Sequence, residues 1–279
     1  MTRITRPRLS SFQWLFCAPA AIWLALAGSA AAETSQDAAL KAVIADPQRT
    51  ASFVARDQAR HPFEELSFFG LTPSMEVVEL WPGGGYWTEI LGPYLAKHGT
   101  YYVALPTGDP EAKESIEHWR KRVAAEKNRL GTIHETLLGP GHLDIAPPGS
   151  ADLVVTFRNL HNWMDAGYVD EALAACFRAL KPGGILGIED HRGRNDKPQD
   201  PKAKNGYVRQ DYTIALAKKA GFEFVGASEI NANPKDTKDW VDGVWTLPPT
   251  LSQGDKDRAR YLAIGEADNY VLKFRKPGS

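Results

Sequence analysis

The run Val77-Val78-Glu79-Leu80-Trp81-Pro82-Gly83-Gly84-Gly85-Tyr86-Trp87 carries the clearest capacity for chemistry in this chain. An apolar stretch that ends in an acid, a glycine-rich turn and a helix start would let backbone amides approach a ligand closely, and the first helical turn adds unpaired N–H donors. The same run also suits a tight connection with no ligand. Two histidines stand further along. His161 lies beside Asn159, Asn162 and Trp163 just past a β-branched run, and Glu189-Asp190-His191-Arg192 closes another. A histidine titrates near neutrality and can take a proton from a nucleophile, or it can hydrogen-bond a loop. Asp190 could orient His191 or stand as a surface charge. Glu189, Asp190, His191 and His161 offer nitrogen and oxygen ligands but no close-spaced set such as His-Glu-x-x-His, so no metal is expected. Arg56, Arg60 and His61 could cover a sheet edge or meet a substrate; His134 and His142 have no fixed place.

These residues need a scaffold, and the periodicity supplies one. From Met75 onward short apolar runs alternate with amphipathic helical patterns, as in a mostly parallel sheet covered on both faces. Strands are expected at Met75–Leu80, Tyr101–Leu105, around Thr132–Leu137, Asp152–Thr156 and Ile185–Glu189, five strands of a doubly wound core. Asp109-Pro110 starts a helix with Ile116, Trp119 and Val123 on one face, and the helix after Asp165 is expected to stop at Pro182-Gly183-Gly184. A helix near Gln210–Ala220, a strand at Phe222–Ile230 and a last strand at Asn269–Phe274 complete the series, the last two pairing antiparallel at an edge. In open sheets of this kind ligands bind at the carboxyl ends of the strands, which places both histidines and the glycine turn on one edge. The excursion 231–268 is too long for a hairpin turn. Its Trp240, Val241, Trp245 and Leu247 could cover the core or form a lid.

The start of the chain reads as a secretory signal. Arg3, Arg6 and Arg8 precede the mostly apolar Phe12–Leu26, and Ala30-Ala31-Ala32 gives a small-residue cleavage site before Glu33. The implied division is a signal peptide at 1–32, a helical segment at 33–74 and an α/β domain at 75–279. The segment Ala51–Phe69, with Arg56, Asp57, Arg60 and His61, reads as helical. Pro19 and the cleavage-like site argue against a transmembrane anchor, so the protein is expected to be exported, and periplasmic where the source has an outer membrane. Loss of three arginines takes the formal charge from −1 to −4, with Lys and Arg scattered, so no nucleic acid is expected as a partner. Cys176, the one cysteine beyond the signal, shares a helical face with Val169, Leu173, Phe177 and Leu180 and is expected in the core.

Glu79 to Gly85 resembles the first motif of class I S-adenosylmethionine-dependent methyltransferases. Two further blocks agree in order and spacing: Asp152–His161 is similar to the family's fourth strand and loop, and Leu180-Lys181-Pro182-Gly183-Gly184 to the turn before the fifth. Trp-Pro-Gly-Gly-Gly-Tyr-Trp and the Trp245–Pro249 segment resemble a group of exported predicted methyltransferases. The resemblance implies a Rossmann-like, seven-stranded, mostly parallel sheet with an antiparallel last strand. It implies S-adenosylmethionine as cofactor, held by Glu79, Pro82, Gly83, Gly84, Gly85, Leu105 and Asn159. It further implies a small-molecule or envelope substrate, and His161, His191 and Asp190 as candidate catalytic groups. Two positions depart from the family pattern: Trp81 stands where the first glycine is usual, and Leu105 where an acid usually holds the ribose hydroxyls. Asp109 could replace that acid or cap its helix. The competing reading is a catalytically silent, exported small-molecule-binding protein on the same fold.

Overall fold

The computed structural model describes residues 1–2, 36–107 and 110–278. Residues 3–35, which hold nearly all of the expected signal segment, and Asp109 lie outside the described residues. Helix α1 spans residues 36–44. The stretch expected as helical at Ala51–Phe69 is three short helices, α2 (Ala51–Val54), α3 (Asp57–Arg60) and α4 (Pro62–Phe69). The break falls at His61, whose φ of 40° is left-handed. Pro62 disfavours the right-handed helical conformation in the residue before it and then sits well at the first position of α4.

The sheet follows from alternation. Strands β1 (Glu76–Leu80), β2 (Thr100–Pro106), β3 (Ile133–Leu138), β4 (Ala151–Phe157), β5 (Leu180–His191), β6 (Glu223–Ser228) and β7 (Asn269–Arg275) form one sheet in the order β3-β2-β1-β4-β5-β7-β6. The first five are parallel, and β7 runs antiparallel to both β5 and β6. The expected seven-stranded, mostly parallel sheet is therefore observed. Successive side chains point to opposite faces. Val78, Leu80, Val154, Leu186 and Ile188 pack on one face against α8 (Leu160–Ala166), α9 (Val169–Ala179) and α10 (Gln210–Lys219), with Cys176 buried among them. Val77, Val103, Leu153, Val155 and Val271 pack on the other with α4, α5 (Thr88–Leu95) and Trp119 of α6 (Pro110–Ala125). Gly187 in β5 is required by this packing, because a Cβ there would lie 2.8 Å from the Phe69 ring.

Helix α9 ends at Ala179, three residues before the expected stop, because Leu180 already pairs with Ala151 across β4 and β5. The short helix α7 (Lys127–Leu130) separates α6 from β3. The excursion 231–268 is structured. It holds a 3-10 turn at Gly243–Thr246 and helix α11 (Arg258–Ile264), and Val244, Leu247, Tyr261 and Ala267 make a small core with Tyr207. Leu247 is thus buried within that small core, while Val241 is exposed. Among the described residues no helix is long and apolar enough to cross a membrane.

Candidate active site

Strand β1 ends at Leu80, and the chain turns at the carboxyl edge of the parallel strands. Trp81 adopts φ 50° and Gly83 φ 55°, so the turn reaches α5 through left-handed backbone. A bulky side chain is costly in that region, by about 1–3 kcal/mol, and Trp81 is held there by many contacts. Its N–H donates to the Ala104 carbonyl at 2.9 Å and its indole N–H to the Leu138 carbonyl at 3.1 Å. Its ring packs edge-on against Trp163. The Asn159 amide donates to the carbonyls of Leu80 and Trp81 at 3.0 and 3.3 Å and to Thr156 Oγ1 at 3.2 Å, clamping the β4 loop to the glycine turn.

Two adjoining cavities open on this turn. One, of about 340 Å³, is lined by Glu79, Trp81 to Gly84, Arg56, Arg60, Arg158, Asn159, His161, His191, Trp245 and Glu266. The other, of about 270 Å³, is lined by Trp81 to Gly83, Leu105, Thr107, Ser115, Trp119, Asn159 and Asn162. Trp81, Pro82, Gly83, Asn159 and Asn162 are common to both, so the glycine turn sits between two lobes of one crevice. Gly85 faces inward, where an added Cβ would meet Trp119 at 3.4 Å; it lines neither lobe.

Glu79 lies on the floor of the first lobe and is buried. Its Oε2 accepts from the Tyr101 hydroxyl and, at 3.0 Å, from Thr88 Oγ1, while its Oε1 has no partner. Burial pushes its carboxyl up to about 7, against the lowering effect of those two hydroxyls.

The histidines are differently tied. His161 Nδ1 lies 2.9 Å from Asp190 Oδ1, and its backbone N–H donates to Asp190 Oδ2. His191 Nδ1 lies 2.7 Å from Asn269 Oδ1, and its N–H donates to Asp190 Oδ1. A carboxylate and an amide oxygen only accept, so each ring carries its proton on Nδ1, leaving the Nε2 lone pair free in the crevice. The rings are 5.3 Å apart, and Trp245 stands edge-on to His161 at 6.0 Å. Burial opposes the charge on Asp190, but the neighbouring His161 outweighs it and holds the carboxyl below its usual range. Burial drives His191 down to about 3, so it stays neutral. Asp190 therefore orients His161 through its side chain and touches His191 only through the backbone.

His161, Asp190 and His191 are close enough together to hold a metal ion. Both Asp190 oxygens are already hydrogen-bonded, and Arg158 adds positive charge that lowers the affinity of His191 for a proton. The same field opposes a cation.

Arg56 and Arg60 are brought to the first lobe, where they meet Arg158 and Glu266, two residues to which the sequence assigned no role. Arg158 follows β4 with φ 62°. Glu266 comes from the end of the excursion and has no local signal. His61 instead faces Asn231 at 3.0 Å and lines a different hollow, and His134 and His142 are exposed.

Residues 78–188 match the family model described as a methyltransferase domain. Among solved structures, a SAM dependent methyltransferase from Aquifex aeolicus is similar over 86% of this chain and 98% of that one, with a TM-score of 0.53 and 15% identity. The [4+2]-cyclase SpnF gives a TM-score of 0.54 at 15% identity, over 79% of this chain and 81% of that one. Phosphoethanolamine N-methyltransferase 2 of Haemonchus contortus, in complex with S-adenosyl-L-methionine, gives 0.51 at 15% identity, over 85% and 60%. No curated protein matches in sequence. Residues 78–188 are thus similar to a methyltransferase domain, and the chain shares the α/β fold of these solved structures. The presence of a cyclase among its structural neighbours shows that the fold alone does not fix the reaction.

Proposed function

We propose that this protein is an S-adenosylmethionine-dependent methyltransferase, exported by its amino-terminal signal and acting on a small molecule or an envelope component. The observation that carries the reading is the glycine turn at the junction of two lobes, one floored by the orphaned Glu79 Oε1 and holding His161 with its Asp190 partner.

The residues fit the cofactor in one half. Gly83 and Gly84 are exposed at the crevice, and an added Cβ would meet nothing at Gly83 and only Phe53 Cζ at 3.6 Å at Gly84. A ligand can therefore approach the backbone closely, and Glu79 Oε1 would accept from an amino group. At the ribose position the fit fails. Leu105 is buried and its side chain accepts no hydrogen bond, leaving Thr107, Ser115, Asn159 and Asn162 as the polar side chains of that lobe, beside its tryptophans, among the described residues. This favours the second reading, a silent binding protein.

The bound cofactor would supply an electrophilic methyl group. The chain's part is to orient the acceptor and receive its proton. His161 Nε2 is the base, because Asp190 fixes its tautomer and supports the imidazolium formed when the proton arrives. His191 remains neutral and offers a second acceptor. Trp245 and the Val244 turn shield that end of the crevice from water.

Calorimetric titration with S-adenosylmethionine and S-adenosylhomocysteine tests the reading. Binding in the micromolar range, about −8 kcal/mol, that is lost in Gly84→Leu supports it; no binding by a folded wild type leaves the binding-protein reading. Recovery of the protein from the cell envelope with Glu33 as first residue checks export.

A further inference from the structure

We propose that Arg56, Arg60 and Arg158 form a subsite for an oxyanion of the methyl acceptor, which makes the acceptor a carboxylate- or phosphate-bearing molecule; the word acceptor rests on the methyltransferase reading above. The three guanidinium groups converge on one carboxylate. Arg56 spans Glu266 with Nε and Nη2 at 2.6 and 2.9 Å, Arg158 Nη1 reaches it at 2.9 Å, and Arg60 Nε only at 3.4 Å. Arg60 Nη1 and Nη2 and Arg158 Nη2 have no acceptor among the described residues. Guanidinium groups present a fixed fork of donors suited to carboxylate and phosphate oxygens, and these forks line the cavity that holds His161.

Charge points the same way. The other carboxylate near Arg158 is Glu189, at 3.8 Å, whose Oε1 is taken by the amides of Asn231 and Asn269. Glu65 lies behind Asn231 and is raised well above the carboxylate range, first by burial and then by Glu189. The three guanidinium groups therefore share Glu266 as their one close ion-pair partner, with Glu189 at 3.8 Å from Arg158. Burial, then the charge of Arg158, brings Arg60 down to about 9. Glu266 is held down, at about 2, by the arginines it serves, against its burial. An entering oxyanion would take up the spare donors, and Arg158 lies only three residues before His161, so the group attached to that oxyanion would share the cavity with the base.

The competing claimant is the cofactor's own carboxylate, and the test separates the two. Fluorescence of Trp81 and Trp245, which line this cavity, would be followed in the full chain during titration with malonate, inorganic phosphate and neutral malonamide, alone and with saturating S-adenosylhomocysteine. We expect a saturable change with at least one anion and none with malonamide. It should persist with S-adenosylhomocysteine present, weaken about tenfold or more in Arg56→Gln, and recover in part in Arg56→Lys. Arg56 is the most exposed of the three, and Arg60→Lys serves as a second variant that keeps the buried charge. Loss of anion binding on adding S-adenosylhomocysteine would assign the arginines to the cofactor and overturn the proposal, as would the absence of any saturable change in folded protein. Anion binding without S-adenosylhomocysteine binding would uphold the oxyanion subsite and overturn the methyltransferase reading.

Discussion

His161 and His191 occupy one cavity but are prepared for different work. His161 has a carboxylate on Nδ1, so a proton arriving at Nε2 is stabilised by Asp190; His191 has only the Asn269 amide oxygen there and is held near pKa 3 by burial. A group that is neutral throughout pH 5–8 cannot produce an inflection in that range. In the proposed reaction, His161→Gln should therefore lower kcat by about 10²-fold or more, with the S-adenosylhomocysteine Kd unchanged. Any inflection of kcat between pH 5 and 8 should survive in His191→Gln. A pH profile that follows His191 instead would reverse the assignment. Asp190→Asn removes the support for the imidazolium while keeping a hydrogen-bonding side chain. It should cut kcat more than it raises KM, and equal changes in both would mark Asp190 as purely structural.

At the scale of elements, the turn between β1 and α5 offers a contrast between neighbouring glycines. Gly84 has an ordinary backbone and open space, so Gly84→Leu should fill the crevice with little effect on stability. Gly83→Leu must hold a side chain at φ 55° and should cost about 1–2 kcal/mol. Thermal unfolding in parallel with calorimetry separates lost binding from lost folding, and a large Tm drop in Gly84→Leu would remove its value as a probe. This turn and the five parallel strands were legible because alternation, β-branched runs and glycine-proline punctuation are local signals. The break at His61 was also within reach, since Pro62 constrains the residue before it. The early end of α9 was not, because it depends on Leu180 pairing with Ala151 across the sheet. Glu266 was equally hidden. Its partners Arg56, Arg60 and Arg158 lie between 108 and 210 residues away along the chain, and no local pattern encodes a contact of that kind. Trp81 was visible as a departure from the glycine pattern, but the contacts that hold its left-handed backbone come from Ala104, Leu138 and Asn159 on other strands and loops.

For the whole molecule, the crevice sets opposing pH dependences of stability. The carboxyl of Glu79 is raised from 4.5 to about 7 on folding, so between those values the folded chain binds more protons than the unfolded chain. Its contribution is fully present below pH 4.5 and is lost as pH rises through 7. His191 is depressed from 6.5 to about 3, so in that interval the unfolded chain binds more protons. Its contribution is present above pH 6.5 and is lost as pH falls toward 3. The two slopes have opposite signs and overlap between pH 4.5 and 6.5, where they offset each other, so each variant should uncover the dependence of the other group. Glu79→Gln keeps an acceptor for Tyr101 and Thr88 but cannot ionise; the drop in unfolding free energy between pH 4 and pH 8 should shrink by about 3 kcal/mol. His191→Gln should relieve the acid limb by about 2 kcal/mol between pH 7.5 and pH 5. Glu65, raised in the same direction as Glu79 and untouched by either variant, should leave part of the fall in stability with rising pH in place. Urea unfolding of wild type, both single variants and the double variant at pH 4, 5, 7.5 and 8 measures each limb. The double variant should show the sum of the two changes, because Glu79 and His191 share no hydrogen-bond partner and independent sites add. An acid limb unchanged in His191→Gln would mean that its imidazole gains a proton in the folded crevice, and with it would go the distinction between the two histidines on which the choice of His161 as base depends.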